Sequence, residues 1–324
     1  MIIDSHIHIF GGRDWWPEWA WEALNRLQAP RFGKTPEEMR KYREESFDPQ
    51  GEITIDNMNR AGVDKALVCV ADIGLTVPGE DSKLSIEKIN LLTYEIVKRH
   101  PDRLYFCVGV DPRRPNAIEI LEIGVRQWGA RGLKLYPGAG FYPNDRVAYP
   151  LYERCVDMNI PVNFHTGPVF GPMKSKFTHP IHIDEVAADF PGLTIYCTHC
   201  GHLSFMEMVS IARTRHNIVC DMGAWISWFR CGETIHYYQV WRFITNMIGS
   251  RRILFASDQT SLRYIPGEVD EYLDLINFLK NIPEEAKMLG ATFTEEEKED
   301  FFSKNAIRIF NLKDLQDIKM SVEV

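Results

Sequence analysis

The chain opens Met1-Ile2-Ile3-Asp4-Ser5-His6-Ile7-His8-Ile9-Phe10, an apolar run that reads as a β-strand carrying two imidazoles two residues apart. Side chains alternate across a strand, so His6 and His8 share one face while Ile7 and Ile9 share the other. Two imidazoles on one face can grip a single metal ion. They can equally be two hydrogen-bonded core histidines, and the pair alone does not decide. Other ionisable residues close further apolar runs: Lys134 in Gly132-Leu133-Lys134-Leu135-Tyr136-Pro137, His165 in Asn163-Phe164-His165-Thr166-Gly167, His199 in Cys197-Thr198-His199-Cys200-Gly201-His202, and Asp258 in Phe255-Ala256-Ser257-Asp258. Gathered unpaired in one low-dielectric mouth, such groups would each cost several kcal/mol, and a divalent cation removes much of that cost. Imidazole nitrogen with carboxylate oxygen is a donor set suited to Zn²⁺, with Mn or Fe also compatible.

These residues meet only if the chain folds so that strand ends converge. Eight short runs rich in Val, Ile, Leu and Phe recur, at Met1–Ile9, Lys65–Ala71, Leu104–Val110, Gly132–Tyr136, Pro161–His165, Leu193–His199, Asn217–Met222 and Arg252–Asp258. The segments between them, among them Ser82–Arg99, Pro115–Trp128 and Ile235–Ile248, carry apolar residues at i, i+3, i+4 spacing and read as helices. Alternating strands and helices, with continuous hydrophobicity in the strands, predict an α/β protein whose parallel strands are buried on both faces. Eight such units predict a (β/α)8 TIM barrel, in which all strand carboxyl ends share one rim. An open doubly wound sheet is the alternative, but Ile9-Phe10-Gly11-Gly12-Arg13-Asp14 lacks its G-x-G-x-x-G turn. A barrel takes about 250 residues. The surplus of a single domain over residues 1–324 falls in an insertion at about 11–50, after the first strand, and in a C-terminal helical extension at about 284–324. The insertion holds Trp15, Trp16, Trp19 and Trp21, which either line the mouth as a lid, glue an extra helix to the barrel, or form a subunit contact.

Composition narrows the function classes. With 45% hydrophobic residues and a net charge of -8, the chain can bury a substantial core and shows no basic patch for nucleic acid or an anionic membrane. No run approaches the ~18 apolar residues of a membrane span, and the amino terminus does not read as a signal peptide. The expectation is a cytoplasmic protein with a small-molecule substrate, no nucleic-acid or membrane partner, and a homodimer as one option. The seven cysteines are read as reduced. Cys197-x-x-Cys200 has no second C-x-x-C to complete a zinc site, and its two thiols are expected on opposite faces of a strand.

The combined pattern resembles the amidohydrolase superfamily, and Arg131-Gly132-Leu133-Lys134-Leu135-Tyr136-Pro137, Asn163-Phe164-His165-Thr166-Gly167, Phe255-Ala256-Ser257-Asp258 and Asn305-Ala306-Ile307-Arg308-Ile309-Phe310 are similar to its second amidohydrolase family. That family includes hydrolases, lactonases and aromatic-acid or aminocarboxymuconate-semialdehyde decarboxylases. The resemblance spans nearly the whole chain. It implies His6, His8, His165 and Asp258 as metal ligands around one Zn²⁺, Asp258 also acting on protons. It implies His199 as an acid or base, or as ligand to a second metal. Lys134 stands where binuclear relatives carry a carboxylated, metal-bridging lysine; the other reading is an ammonium set against substrate. Arg13, His202, Trp225 and Trp228 are expected around a carboxylate-bearing substrate. Hydrolysis of a small amide, ester or lactone by a metal-activated water is the first expectation, with Asp258 as proton acceptor. Nonoxidative decarboxylation of an aromatic or muconate-like acid is the alternative. A non-catalytic metal-binding protein is the third reading.

Overall fold

A computed structural model describes residues 1–225 and 232–312. All eight expected strands form: β1 (Ile3–Ile7), β2 (Lys65–Cys69), β3 (Leu104–Gly109), β4 (Leu133–Leu135), β5 (Val162–His165), β6 (Ile195–Thr198), β7 (Ile218–Asp221) and β8 (Ile253–Leu254). They pair in chain order, every pair parallel. Backbone bonds from Ser5 N to Phe255 O (3.0 Å), Asp258 N to His6 O (3.0 Å) and His8 N to Gln259 O (2.7 Å) bring the last strand back to the first. The (β/α)8 barrel is therefore the observed architecture, and the rim it creates is where His6, His165, His199 and Asp258 come together.

The helices follow the expected periodicity. Before β2 come α1 (Glu18–Gln28), α2 (Pro36–Glu44) and α3 (Glu52–Ala61). Between later strands lie α4 (Ile86–Arg99), α5 (Ala117–Arg126), α6 (Tyr149–Asp157), α7 (Ile181–Asp189), α8 (Phe205–Thr214) and α9 (Thr234–Ile248). After β8 come α10 (Glu271–Lys280), α11 (Glu284–Met288), α12 (Glu295–Glu299) and α13 (Asn305–Phe310), the last preceded by a π-turn at Asp300–Lys304. The part of the expected 284–324 extension beyond Leu312 lies outside the described residues, as does Trp228. No helix among the described residues is long and apolar enough to cross a membrane.

Local sequence accounts for the entry into the 11–50 stretch. Thr35 caps α2 through a capping box with Glu38, and Pro36 occupies its first turn, where no amide hydrogen is needed. Trp15, Trp16 and Trp21 are buried. Phe10 meets Trp16 and Trp21 edge-on at 4.6 and 5.0 Å between ring centroids, and Phe47 packs on Trp21 at 5.6 Å. Lys34 pairs with Glu268 at 3.0 Å, Arg31 pairs with Glu271, and the Tyr42 hydroxyl donates to Arg263 O, so the stretch is fastened to the segment following β8.

Strict alternation along β1 fails at one place, and the failure matters. The β1–β2 register shifts between Asp4 and Ile7, a local bulge of the kind that re-aims side chains. Asp4 Oδ1 accepts the amides of His6 (3.2 Å) and Ser257 (3.1 Å), satisfying donors that the irregular ladder leaves over. Ser5 and His6, adjacent in sequence, consequently both face the same buried group. Ser5 Oγ is 2.7 Å from the Tyr196 hydroxyl, which donates to Asp221 Oδ2, and His6 Nδ1 is 3.8 Å from that same oxygen. Beneath this polar layer Ile3, Leu67, Cys69, Cys107, Val219 and Leu254 fill the barrel and pack on Phe310 of α13. Tyr196→Phe removes the donor to a fully buried carboxylate oxygen and is expected to lower stability by about 1–3 kcal/mol, measured by urea unfolding; an unchanged midpoint would show that the layer does not support the barrel.

Candidate metal centre

Three histidine tautomers at the rim follow from their backbone partners, because a carbonyl oxygen can only accept. His8 Nδ1 donates to Cys69 O (2.7 Å), His199 Nδ1 to Gly223 O (2.9 Å) and His165 Nε2 to Pro168 O (3.1 Å). In its neutral form each ring therefore presents a bare lone pair from its other nitrogen. Lys134 Nζ lies 3.2 Å from His6 Nε2, and with Nδ1 turned towards Asp221 that Nε2 lone pair is the one His6 can offer. These lone pairs face one another: His165 Nδ1 is 3.1 Å from His199 Nε2, and His6 Nε2 is 3.2 Å from His8 Nε2. Asp258 Oδ1 sits 3.5 Å from both His6 Nε2 and His8 Nε2. Donor atoms of His6, His199 and Asp258 all lie within 4.8 Å of one another.

Facing lone pairs repel unless a proton or a cation lies among them. Burial holds the His6 and His165 rings well below the usual histidine range, so protons do not fill that role near neutral pH. Burial works to raise the Asp258 carboxyl, yet the His6 and His8 rings opposite keep it well below the usual carboxylate range. One carboxylate among converging imidazole nitrogens fits a divalent cation. His6, His199 and Asp258 converge as the closest three, and His8, 3.2 Å from His6, and His165, 3.1 Å from His199, could complete the set around it.

The backbone is bent to build this arrangement. Of eight non-glycine residues with left-handed φ among the described residues, six lie on the rims of β6, β7 and β8: His199, Cys200, His202, Ala224, Asp258 and Ser261. Such conformations cost about 1–3 kcal/mol each and persist where surrounding structure compels them. Gly167 makes room as well, since a Cβ there would lie 3.0 Å from His199 Cδ2. The same turn corrects the expectation for the thiols. β6 ends at Thr198 and the backbone reverses through Cys200, so Cys197 and Cys200 both reach Cys220 instead of facing opposite ways.

Asp221 is the residue that inspection of the strand ends overlooked. Oδ1 accepts the amides of His199 (2.8 Å) and Gly223 (2.7 Å), while Oδ2 accepts from Tyr196 and faces His6 Nδ1. It thus fixes the backbone of His199 and sets a carboxylate opposite the otherwise unpartnered Nδ1 of His6. The signal was present, for Asp221 stands one residue from the end of the seventh apolar run much as Asp258 closes the eighth.

A cavity of about 890 Å³ opens above the rim. Its floor includes His8, Tyr136, His165, His199, His202 and Asp258, and its walls include Trp16, Leu24, Leu27, Phe170 and Val269. Burial pushes the His202 ring down to about 4, with His199 adding to the effect. Three substrate-facing expectations need correction. Arg13 is bound by Glu18 and Glu44 on the outer side of α1 and does not line the cavity, because two nearby carboxylates claim it first. Trp225 is fully buried behind His199, donating from Nε1 to His199 O at 2.8 Å, and is a support and not a wall. Lys134 lies under His6, donating to Asn163 Oδ1 and Thr198 Oγ1 (both 3.3 Å), and does not reach the cavity surface. Arg31, which the sequence did not single out, does line the mouth.

The amidohydrolase family matches residues 3–312. No curated protein matches the sequence. Among solved structures, 5-carboxyvanillate decarboxylase from Novosphingobium aromaticivorans, complexed with manganese and 4-hydroxy-3-methoxy-5-nitrobenzoic acid, is 17% identical, with 96% of each chain covered and a TM-score of 0.66. 4-Oxalomesaconate hydratase from Rhodopseudomonas palustris is 20% identical over 100% of this chain and 98% of its own, with a TM-score of 0.61. An amidohydrolase from Burkholderia multivorans with bound zinc is 12% identical over 97% and 100%, with a TM-score of 0.63. At these identities the likeness is one of fold.

Two outcomes are expected. Metal analysis of purified protein should give one divalent ion per chain, two ions being the result that would restore a carboxylated Lys134. Asp221→Asn should keep the fold by circular dichroism and weaken metal affinity about 10–100-fold, as loss of an outer support does; unaltered affinity would remove the positioning role.

Proposed function

The chain belongs to the amidohydrolase family, and from that premise we propose that it is a metal-dependent lyase catalysing nonoxidative decarboxylation of an aromatic or similarly unsaturated carboxylic acid. The observation that carries this reading is the pairing of a single convergent donor set with an aromatic-walled cavity. Lys134, which in the sequence slightly favoured hydrolysis, is instead engaged below the cavity floor as an amine donating to Asn163 Oδ1 and Thr198 Oγ1. That engagement favours one ion, zinc or manganese, held by His6, His8, His165 and Asp258. When bound, the ion would supply Lewis-acid polarisation of substrate oxygens.

The chain's own residues supply the rest. Trp16 and Phe170 pack against the substrate ring, and Leu24 and Leu27 keep water from its faces. His199 holds a proton at the floor of the cavity, with the Asp258 carboxylate opposite stabilising the charged ring. That proton passes to the ring carbon bearing the carboxylate. The bond from that carbon to the carboxyl group then breaks, carbon dioxide leaves, and the bonding pair returns to the ring.

A second reading is hydrolysis of a lactone, ester or amide, favoured by one feature: the Asp258 side chain is 27% exposed towards the cavity, where it can accept a proton from water. Carbon dioxide release from a panel of hydroxybenzoates and 5-carboxyvanillate, with zinc- or manganese-loaded protein, separates the two. Release is expected, and Asp258→Asn should reduce it by about 10²–10⁴-fold with folding retained. Cleavage of lactones or amides with no carbon dioxide from any acid would transfer the assignment to hydrolysis.

A further inference from the structure

Tyr136 follows β4 and stacks on His165, ring centroids 4.2 Å apart and planes within 15° of parallel. It is buried except where it lines the cavity floor beside His165, His199 and Asp258. Two features of the chain hold it there. Arg113, clamped in two-point contact by buried Asp111, donates to Ala139 O (3.1 Å) and Gly140 O (3.3 Å), which fixes the Pro137–Ala139 turn immediately after it. His165 presents the flat surface on which the phenol ring rests.

The ring is thus accounted for, but the hydroxyl is not. Among the described residues it makes no hydrogen bond, and it is not sealed from the cavity as an orphaned polar atom would be. A tyrosine this deeply placed ordinarily finds a partner for its hydroxyl. Lys134, two residues earlier, was another donor expected to face substrate, yet its amine is spent on Asn163 and Thr198 below the floor.

We infer that the Tyr136 hydroxyl is the substrate-reading donor of this site, hydrogen-bonding an oxygen atom of a carboxylate or carbonyl group held beside His165 and Asp258. A phenol is an effective donor to such an oxygen, and its strength rises as negative charge develops there. A phenol, with an ordinary pKa of about 10, carries its proton across neutral pH and so can donate. The role serves decarboxylation and hydrolysis alike, because both build charge on substrate oxygen. It rests on the metal-site reading above and not on the choice of reaction.

The test uses manganese-loaded protein and benzohydroxamate, an aromatic metal-chelating probe whose oxygens need no turnover. Tyr136→Phe keeps the stacked ring and deletes only the donor; Tyr136→Ala removes both. Expected are unchanged manganese stoichiometry and affinity in Tyr136→Phe, with benzohydroxamate binding weakened tenfold or more by calorimetry, and loss of manganese affinity in Tyr136→Ala. Equal benzohydroxamate affinity in wild type and Tyr136→Phe, or no binding by wild type, would overturn the inference. So would loss of manganese in Tyr136→Phe as large as in Tyr136→Ala, which would leave Tyr136 a support for His165 alone. If the probe result holds while no acid is decarboxylated, the hydroxyl's role stands and only the proposed reaction fails.

Discussion

Everything at the rim depends on backbone carbonyls having taken one hydrogen from each of three imidazoles. Cys69 O, Gly223 O and Pro168 O accept from His8, His199 and His165, and in doing so commit the opposite nitrogens to point bare lone pairs inwards. Neutral rings so arranged repel one another, and a cation among them relieves that repulsion. The arrangement is costly as a core and well suited as a receptor. Carbonyls at the end of β2 and in the segments after β5 and β7 do this work, which ties the chemistry to the barrel's closure and not to any single strand.

Below that shell lies a second constraint. Asp221, Tyr196 and Ser5 form a buried polar layer across the barrel, and its carboxylate reaches both His6 and His199. The bulge in β1 is what allows Ser5 and His6 to share this layer although they are neighbours in sequence. Left-handed residues concentrate on the β6 to β8 rims for a related reason: the turns there must present His199, His202 and Asp258 upwards within a few residues of a strand end. Strain of this kind is stored where geometry is worth more than backbone comfort.

The stretch between β1 and β2 divides its aromatic residues by task. Trp15 and Trp21 are consumed in packing, with the Trp21 Nε1 donating to Arg13 O at 2.7 Å. Trp16 donates to Ala71 O at 3.2 Å and presents its ring to the cavity. Because Arg31, Lys34 and Tyr42 fasten the stretch to residues 263–271, the cavity wall and the segment carrying Asp258 are mechanically joined.

The sequence by itself determined the eight strands, the helices between them, and the identity of His6, His8, His165, His199 and Asp258 as one group. Strand periodicity and terminal position are local properties, and the barrel turns terminal position into proximity. Tertiary structure alone decided which polar groups had already been claimed. Lys134 and Tyr136 sit two apart at the same strand end, yet one amine is absorbed by two buried acceptors while the other residue's hydroxyl opens on the cavity. Arg13 was lost to Glu18 and Glu44, and Asp221 acquired two histidines from distant strands. Residue type and spacing reveal what a side chain can do; hydrogen bonds between residues far apart in the chain determine what capacity it has left.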